Sequence, residues 1–393
     1  MKVEEIIPFI RSTFHEPTEF IPLHDPRFIG NEKQYLNECI DSNFVSSVGK
    51  FVGRFEKMCA EFTGAKYAVA AMNGTSALHI ALHMARVKNR DEVITQPLTF
   101  IATANAISYT GASPLFLDVD RETMGLSPSR MEEFLHTNTI MKDDGFCYDK
   151  VTDKRISVCI PMHTFGHPVK LKELVALCAK YNITLIEDAA ESIGSTYFGK
   201  QTGTFGKMGI FSFNGNKIIT TGGGGMIITD DEVIAKRAKH ITTQSKVPHR
   251  WEFVHDEVGY NYRLTNINAA LGCAQMESLP KFIQLKRELA EKYRAFFNGS
   301  QYMFFAEPEG CCSNYWLNAI LAKDRTHRDE LLTCTNDNGV MTRPIWRLMN
   351  ELPMFQNCRC GNLENAKWFE ERVVNIPSSA IIKDYHKSHV HPL

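Results

Sequence analysis

The reading of the chain turns on residues 183–228, ITLIEDAAESIGSTYFGKQTGTFGKMGIFSFNGNKIITTGGGGMII. Ile183-Thr184-Leu185-Ile186 is an apolar run with the length and composition of a buried strand in a parallel sheet. It ends in Glu187 and Asp188, followed by two alanines. In open α/β sheets the ligand crevice lies beyond the carboxyl ends of the strands, so an acid there is either functional or a cap or turn residue. A second run, Gly209 to Phe213, leads into Asn214-Gly215-Asn216-Lys217-Ile218. Thr220, Thr221 and the glycines Gly222 to Gly225 then precede another strand, Met226 to Thr229.

Solvation alone explains Lys217 poorly, because Phe213, Ile218 and Ile219 are its near neighbours in sequence. A lysine in a partly desolvated pocket has a lowered pKa and offers a usable amine for Schiff-base chemistry. Pyridoxal phosphate is the cofactor that needs both such a lysine and a carboxylate facing a pyridinium nitrogen. Lys217 and Asp188 supply those two parts. The segments IEDAAES, FSFNGNK and GGGGM resemble the core of the DegT/StrS family of pyridoxal-phosphate-dependent sugar aminotransferases. The resemblance implies an α/β chain with the type I aminotransferase fold, whose mostly parallel central sheet has helices on both faces. It adds a smaller C-terminal α+β domain. It matches Lys217 to the family's Schiff-base lysine and Asp188 to the carboxylate at the pyridinium nitrogen. Glu191 falls beside the cofactor's ring hydroxyl, where many members carry Gln and others Glu or His. Ser212 matches the hydroxyl that holds the cofactor phosphate.

Composition narrows the rest. The chain has 393 residues, 44% of them apolar, and a formal net charge of −1. That length suits a large domain with a smaller second one, and near-neutrality gives no global attraction to nucleic acid or anionic membrane. The division expected is a large cofactor domain with its N-terminal arm, 1–264, and a linking helix with a small domain, 265–393. The 11 cysteines include no C-x-x-C pair, so neither a disulfide scaffold nor a structural zinc site is expected, and Cys358-Arg359-Cys360 is a weak metal candidate at most. The start MKVEEIIPFI lacks the pattern of a signal peptide, and no apolar run approaches the ~20 residues that span a bilayer. A soluble, reduced, cytoplasmic chain is the expectation, with no metal, nucleic-acid or membrane partner.

Along the chain, residues 1–30 read as an arm opening with a short helix, and helices follow from Glu32 to about Asp41 and from Val52 to Phe62. Ser46 and Ser47, in the loop between them, are either substrate contacts or plain loop polarity. Strands and helices then alternate, which implies a mostly parallel sheet covered on both faces. After the strand Tyr67 to Ala71, Asn73-Gly74-Thr75-Ser76 opens a helix. Such a turn offers N–H groups and hydroxyls to an anion, or is an ordinary cap. The family resemblance places the cofactor phosphate there, on Thr75 and Ser76, and matches Phe100 to the aromatic that stacks on the pyridine ring; a core Phe is the alternative. Residues 137–154 read as an exposed polar loop. His163, at a strand's carboxyl end, either contacts the sugar nucleotide or cofactor region, or holds its own loop.

Residues 243–258 read as a loop. The segment GYNYRLTNIN, from Gly259, resembles the family's G-Y-N-x-R-x-T-x-I, in which the asparagine matching Asn261 reaches the neighbouring subunit's cofactor phosphate. A homodimer with shared active sites is implied; a polar turn capping the next helix is the alternative. That helix runs from Thr265 to Phe297, with Pro280 expected to kink or split it. Arg343, in Thr342-Arg343-Pro344-Ile345-Trp346, is either a partner for a phosphate or carboxylate or a surface arginine.

The implied reaction passes the amino group of L-glutamate to the cofactor, giving pyridoxamine phosphate, and then to a keto-sugar on a nucleoside diphosphate. IPLHDPRFIGNEKQYLNECIDSNFVSSVGKFVGRFE and NGTSALHIALH most resemble the LegC subgroup. Its members aminate C4 of UDP-linked 4-keto-6-deoxy-N-acetylhexosamines on the way to legionaminic-acid or bacillosamine-type sugars. A GDP- or dTDP-linked sugar remains an alternative, as does a non-catalytic regulatory member. Lys217 argues against the branch that dehydrates sugars, where histidine replaces the lysine.

Overall fold

The computed structural model describes residues 3–383. Seven strands make the spine of its nine-stranded sheet: β1 (Tyr67–Ala71), β2 (Glu92–Thr95), β3 (Ser113–Phe116), β4 (Arg155–Ile160), β5 (Thr184–Asp188), β6 (Met208–Ser212) and β7 (Gly225–Thr229). Their spatial order is β1-β7-β6-β5-β4-β2-β3. β7 alone runs antiparallel to its neighbours β1 and β6, so the others share one direction. A mostly parallel central sheet is what the resemblance implied.

The strands alternate side chains between two covered faces, as a period of two requires. Val69, Val93, Val158, Ile186, Ile210 and Ile227 pack with the helices Gly74–Met84 and Glu232–Thr242. On the other face, Ile94, Cys159 and Leu185 pack with Pro128–Asn138 and Leu171–Lys180. Phe211, Met226 and Ile228 meet Phe55 of Lys50–Thr63 and Cys273 of the long helix Asn266–Phe297. Each aliphatic side chain fully removed from water on such a face contributes on the order of 1.5–3 kcal/mol.

Four expectations are corrected. Residues 137–154 are not all exposed loop: Thr139–Met141 and Cys147–Asp149 form a hairpin that joins the sheet through β4. The alternation that makes it a strand is hidden because one inward residue is an acid. Asp149 is fully buried, accepts the N–H groups of Val151 and Thr152, and pairs with Arg359. Residues 243–258 contain a small ribbon, Lys246–Val247 against Val254–His255. Pro280 does not split the helix Asn266–Phe297, whose 32 residues bury Ala269, Cys273, Met276, Leu279, Phe282, Leu289 and Tyr293 along one side. That packing outweighs the single hydrogen bond the proline removes. The helix at the start is longer than the short one expected, running Val3–Phe14 with Pro8 inside it.

A second, wholly antiparallel sheet, Met303–Phe304, Asn318–Leu321, Val373–Ile376 and Arg343–Pro344 in spatial order, follows the long helix. Ile6 and Ile10 of the first helix pack here with Tyr293, Leu331 and Val340, and Ile21 bridges to Val340. Among the described residues no helix is long and apolar enough to cross a membrane.

Candidate active site

Every polar group singled out near the sheet lies at one edge, because the parallel strands end there together. β5 delivers Asp188, β6 delivers Ser212 and, five residues on, Lys217, and β1 delivers the turn at Asn73. β7 enters the sheet at the same edge, since Gly225 lies opposite both Ala71 and Ser212.

Asp188 is 3% exposed. Its Oδ2 accepts the Thr103 hydroxyl at 2.6 Å and its Oδ1 the Ala190 N–H at 3.2 Å. Burial raises its pKa, against the pull of those hydrogen bonds and of the charge on Lys217. Asp188 is therefore a carboxylate that burial leaves in need of a cationic partner.

Lys217 has its Nζ 3.3 Å from Glu191 Oε1 and 3.9 Å from the centre of the Trp316 ring, with its side chain 12% exposed. Glu191 Oε2 accepts the N–H of Phe165 at 2.9 Å. Phe165 has a left-handed φ of 56°, rare outside glycine, so Glu191 satisfies a backbone donor that a strained turn presents. Burial pushes the Glu191 carboxyl up to about 7, with Lys217 and the Phe165 N–H pulling the other way.

A carboxyl whose folded pKa lies above its unfolded one binds its proton more tightly when folded, so its share of stability is lost as pH rises through about 7. Glu191→Gln should flatten that dependence in the cofactor-free protein. It should leave the variant more stable than its parent at pH 8, by on the order of 2–3 kcal/mol. Urea unfolding of both proteins at pH 5 and pH 8 measures it, and equal slopes in the two would refute it.

At the turn after β1, Asn73 is the N-cap of Gly74–Met84 and accepts the Ser76 N–H at 2.8 Å. The N–H groups of Gly74 and Thr75 lie in the first turn, which has no intrahelical acceptors. A Cβ on Gly74 would stand 3.0 Å from the Cβ of Ser212 and 3.3 Å from its Oγ, so that hydroxyl faces the same turn. Thr75 is half-buried and Ser76 buried. Phe100 is the N-cap residue of Ile101–Tyr109, 52% exposed, with its ring 6.4 Å from Trp346.

The remaining candidates stand apart from this cluster or serve the fold. His163 is fully buried, its Nδ1 accepting the Val169 N–H and its Nε2 donating to Glu187 at 3.1 Å, so both nitrogens hold their own loop. Asn261 is exposed and bridges to Thr243. The alternative raised for its segment is also met, since Thr265 caps the long helix by accepting the Asn268 N–H. Ser46 accepts the Asn266 N–H through its carbonyl, at 2.6 Å, and its side chain is exposed, while Ser47 is half-buried. Arg343 is exposed and donates to Asn336 Oδ1 and the Thr342 carbonyl.

Sequence reasoning missed Thr103, Asn314 and Trp316. Nothing in their local patterns marks them, since each acts through a neighbour distant in sequence. It also missed that Trp346 stands between Phe100 and Phe165, with its ring 5.2 Å from the latter. His240, Asp256 and Glu257 come together as possible metal ligands, but Glu257 is already paired with Arg237. Burial pushes the Cys360 thiol up to about 11, against the thiolate that a metal requires.

The donor set suits pyridoxal phosphate. First-turn N–H groups with three hydroxyls suit a phosphate, a buried acid lacking a cation suits a protonated ring nitrogen, and an enclosed amine suits an aldehyde. Fold and site together define a pyridoxal-phosphate-dependent aminotransferase. Residues 26–391 match the model of the DegT/DnrJ/EryC1/StrS aminotransferase family, and the chain belongs to that family. It is 39% identical over 363 residues to the GDP-perosamine synthase of Escherichia coli O157:H7, covering 92% of this chain and 93% of that one. The putative pyridoxal phosphate-dependent aminotransferase EpsN of Bacillus subtilis (strain 168) is 37% identical over 336 residues, 85% of this chain and 84% of the other. The aminotransferase TlmJ from Streptoalloteichus hindustanus superposes with a TM-score of 0.84 at 26% identity, covering 93% of this chain and 95% of that structure. The chain is thus an aminotransferase of that family. These names do not single out the LegC-like subgroup that its opening segment resembles.

Proposed function

We propose that this enzyme transfers the amino group of L-glutamate to the keto carbon of a sugar carried on GDP. The observation that carries the transfer is the convergence of Lys217, Glu191 and Asp188 at the carboxyl edge of β5 and β6. Support for GDP comes from the relatives named GDP-perosamine synthase, at 39% and 36% identity over nine-tenths of the chain. A second reading, a UDP-linked 4-keto-6-deoxy-N-acetylhexosamine aminated at C4, is favoured by the likeness of residues 21–56 to the LegC subgroup.

In this reading Asp188 keeps a proton on the ring nitrogen, and Thr75, Ser76 and Ser212 hold the phosphate. Bound there, pyridoxal phosphate supplies an electron-accepting ring and carries nitrogen between the two substrates. Lys217 holds and returns the proton at the carbon bearing nitrogen, as general base and then acid. Phe100 would cover one ring face, and Glu191 would meet the ring hydroxyl.

Asn261 would reach the phosphate of the other site in a homodimer. That assembly is supported by the exposure of Asn261 and by large apolar side chains left in water, among them Trp251, Phe253 and Val258 on or beside the 246–255 ribbon. Ser46, Ser47 and Arg343 are offered to the sugar nucleotide or to a carboxylate of the donor, with Trp346 joining the Arg343 segment to Phe100. His163 acts through Glu187 and the loop they share rather than by contact.

The test begins with the visible spectrum of the protein and pyridoxal phosphate, before and after L-glutamate. Loss of the bound-cofactor band on adding glutamate is expected; a band indifferent to glutamate would sink that donor. GDP-, UDP- and dTDP-linked 4-keto sugars are then compared by kcat/KM. A GDP preference of about tenfold or more is expected, which corresponds to about 1.4 kcal/mol. A UDP preference would reverse the assignment in favour of the second reading.

A further inference from the structure

Lys217 rests in a built seat. Glu191 forms one wall, 3.3 Å from its Nζ, and the face of Trp316 forms another, 3.9 Å away. Trp316 is 4% exposed and fixed by two hydrogen bonds: its Nε1 donates to the Asn216 carbonyl at 2.7 Å, and its backbone N–H donates to Asn314 Oδ1 at 2.8 Å. Asn314, itself fully buried, donates through Nδ2 to the carbonyls of Glu191 and Ile193, each at 2.9 Å. Gly166 makes room for it, since a Cβ there would lie 2.0 Å from Asn314 Oδ1 and its φ is +98°. One segment, 314–316, thus positions both walls and the residue preceding the lysine.

We propose that Trp316 and Glu191 form a docking site for the protonated amine of Lys217 whenever that amine is not joined to the cofactor, which makes Trp316 a positioning residue for the lysine's proton transfers. This rests on the role proposed above for Lys217. The chemistry follows from the two walls. An aromatic face attracts a cation through its quadrupole, most strongly when water is excluded, and a carboxylate compensates the same charge. A neutral amine gains little from either. The seat therefore suits the ammonium form. The buried His24, on the 21–29 arm, is a titratable neighbour that feels the charge on Lys217, and burial holds it well below the usual imidazole range. Asp188 is the other carboxylate whose charge is felt by Lys217. Because the ring's grip is much weaker than a bond, the amine can leave it once it must act on the substrate.

The test needs neither substrate nor cofactor, so it can fail independently of the proposed function. In the full-length, cofactor-free protein, acylation of Lys217 by acetic anhydride is followed by peptide mass spectrometry across pH, with exposed lysines as internal references. Trp316→Leu should lower the pH midpoint at Lys217 by about one unit, a roughly tenfold faster labelling at fixed pH below it. Trp316→Phe keeps a ring but loses the Nε1 donor, and should stay within about half a unit of the parent. An unmoved midpoint in a folded Trp316→Leu overturns the proposal. So do equal shifts in both variants, which would assign the effect to the bond with Asn216. Should Trp316→Leu not fold, Glu191→Gln must itself lower the midpoint by about a unit or more; no shift there overturns the seat.

Discussion

Lys217→Ala should bind pyridoxal phosphate without developing the visible band of a lysine-linked cofactor, and should lose amino transfer by on the order of 10⁴-fold. On the roles proposed for Lys217, two functions vanish with one side chain, the covalent anchor and the proton carrier, so the loss should exceed that of any other single change in the site. Lys217→Arg separates charge from chemistry. A guanidinium keeps a cation between Glu191 and Trp316 but cannot give up its proton at working pH. It should therefore retain the parent's melting temperature while being about as inactive as the alanine variant. The alanine variant leaves room and a neutral gap, so a small external amine such as methylamine should restore a measurable part of its rate and none of the arginine variant's. Single-turnover measurements with glutamate give the rates, and thermal melts give the stabilities. An active Lys217→Ala would remove the central residue of the proposed mechanism.

How much of this was legible beforehand follows from where each signal lies in the chain. Asp188, Ser212 and Lys217 sit where apolar runs stop, so the strand pattern that defines the sheet also points to its functional edge. Thr75 and Ser76 were readable for the same reason, as a polar turn between an apolar strand and a helix. Thr103 and Trp316 were not. Thr103 lies in the first turn of a helix and meets Asp188 only because β2 and β5 flank β4 in the sheet, an adjacency that sequence order hides. Trp316 belongs to an apolar run that reads as core, and its contact with Lys217 spans nearly a hundred residues. His163 shows the opposite failure. Its place at a strand end suggested chemistry, but the acid next to Asp188, Glu187, had already claimed it. The sugar and its nucleotide were the least legible, because the residues offered to them lie on loops whose polarity has many causes.

Asp188→Asn should lower amino transfer by on the order of 10²–10³-fold while leaving the protein at least as stable as its parent. The two effects have opposite signs for one reason. In the cofactor-free protein Asp188 is a buried charge whose pKa burial has raised, held by one hydroxyl and one N–H, with Lys217 nearby but bonded to Glu191 instead. Removing that charge relieves a desolvation penalty. The amide fits the same space, with its oxygen accepting the Ala190 N–H and its nitrogen donating to Thr103 Oγ1, which can turn its own proton toward Thr99. What the amide cannot do is keep a proton on the pyridine nitrogen, and without that charge the ring accepts electrons poorly. On the role proposed for Asp188, the penalty for burying it is recovered when the protonated ring nitrogen binds. A thermal melt with and without pyridoxal phosphate separates the terms: the parent should gain more from the cofactor than Asp188→Asn does, although the variant melts no lower without it. Equal gains in the two proteins would mean that Asp188 does not face the ring nitrogen.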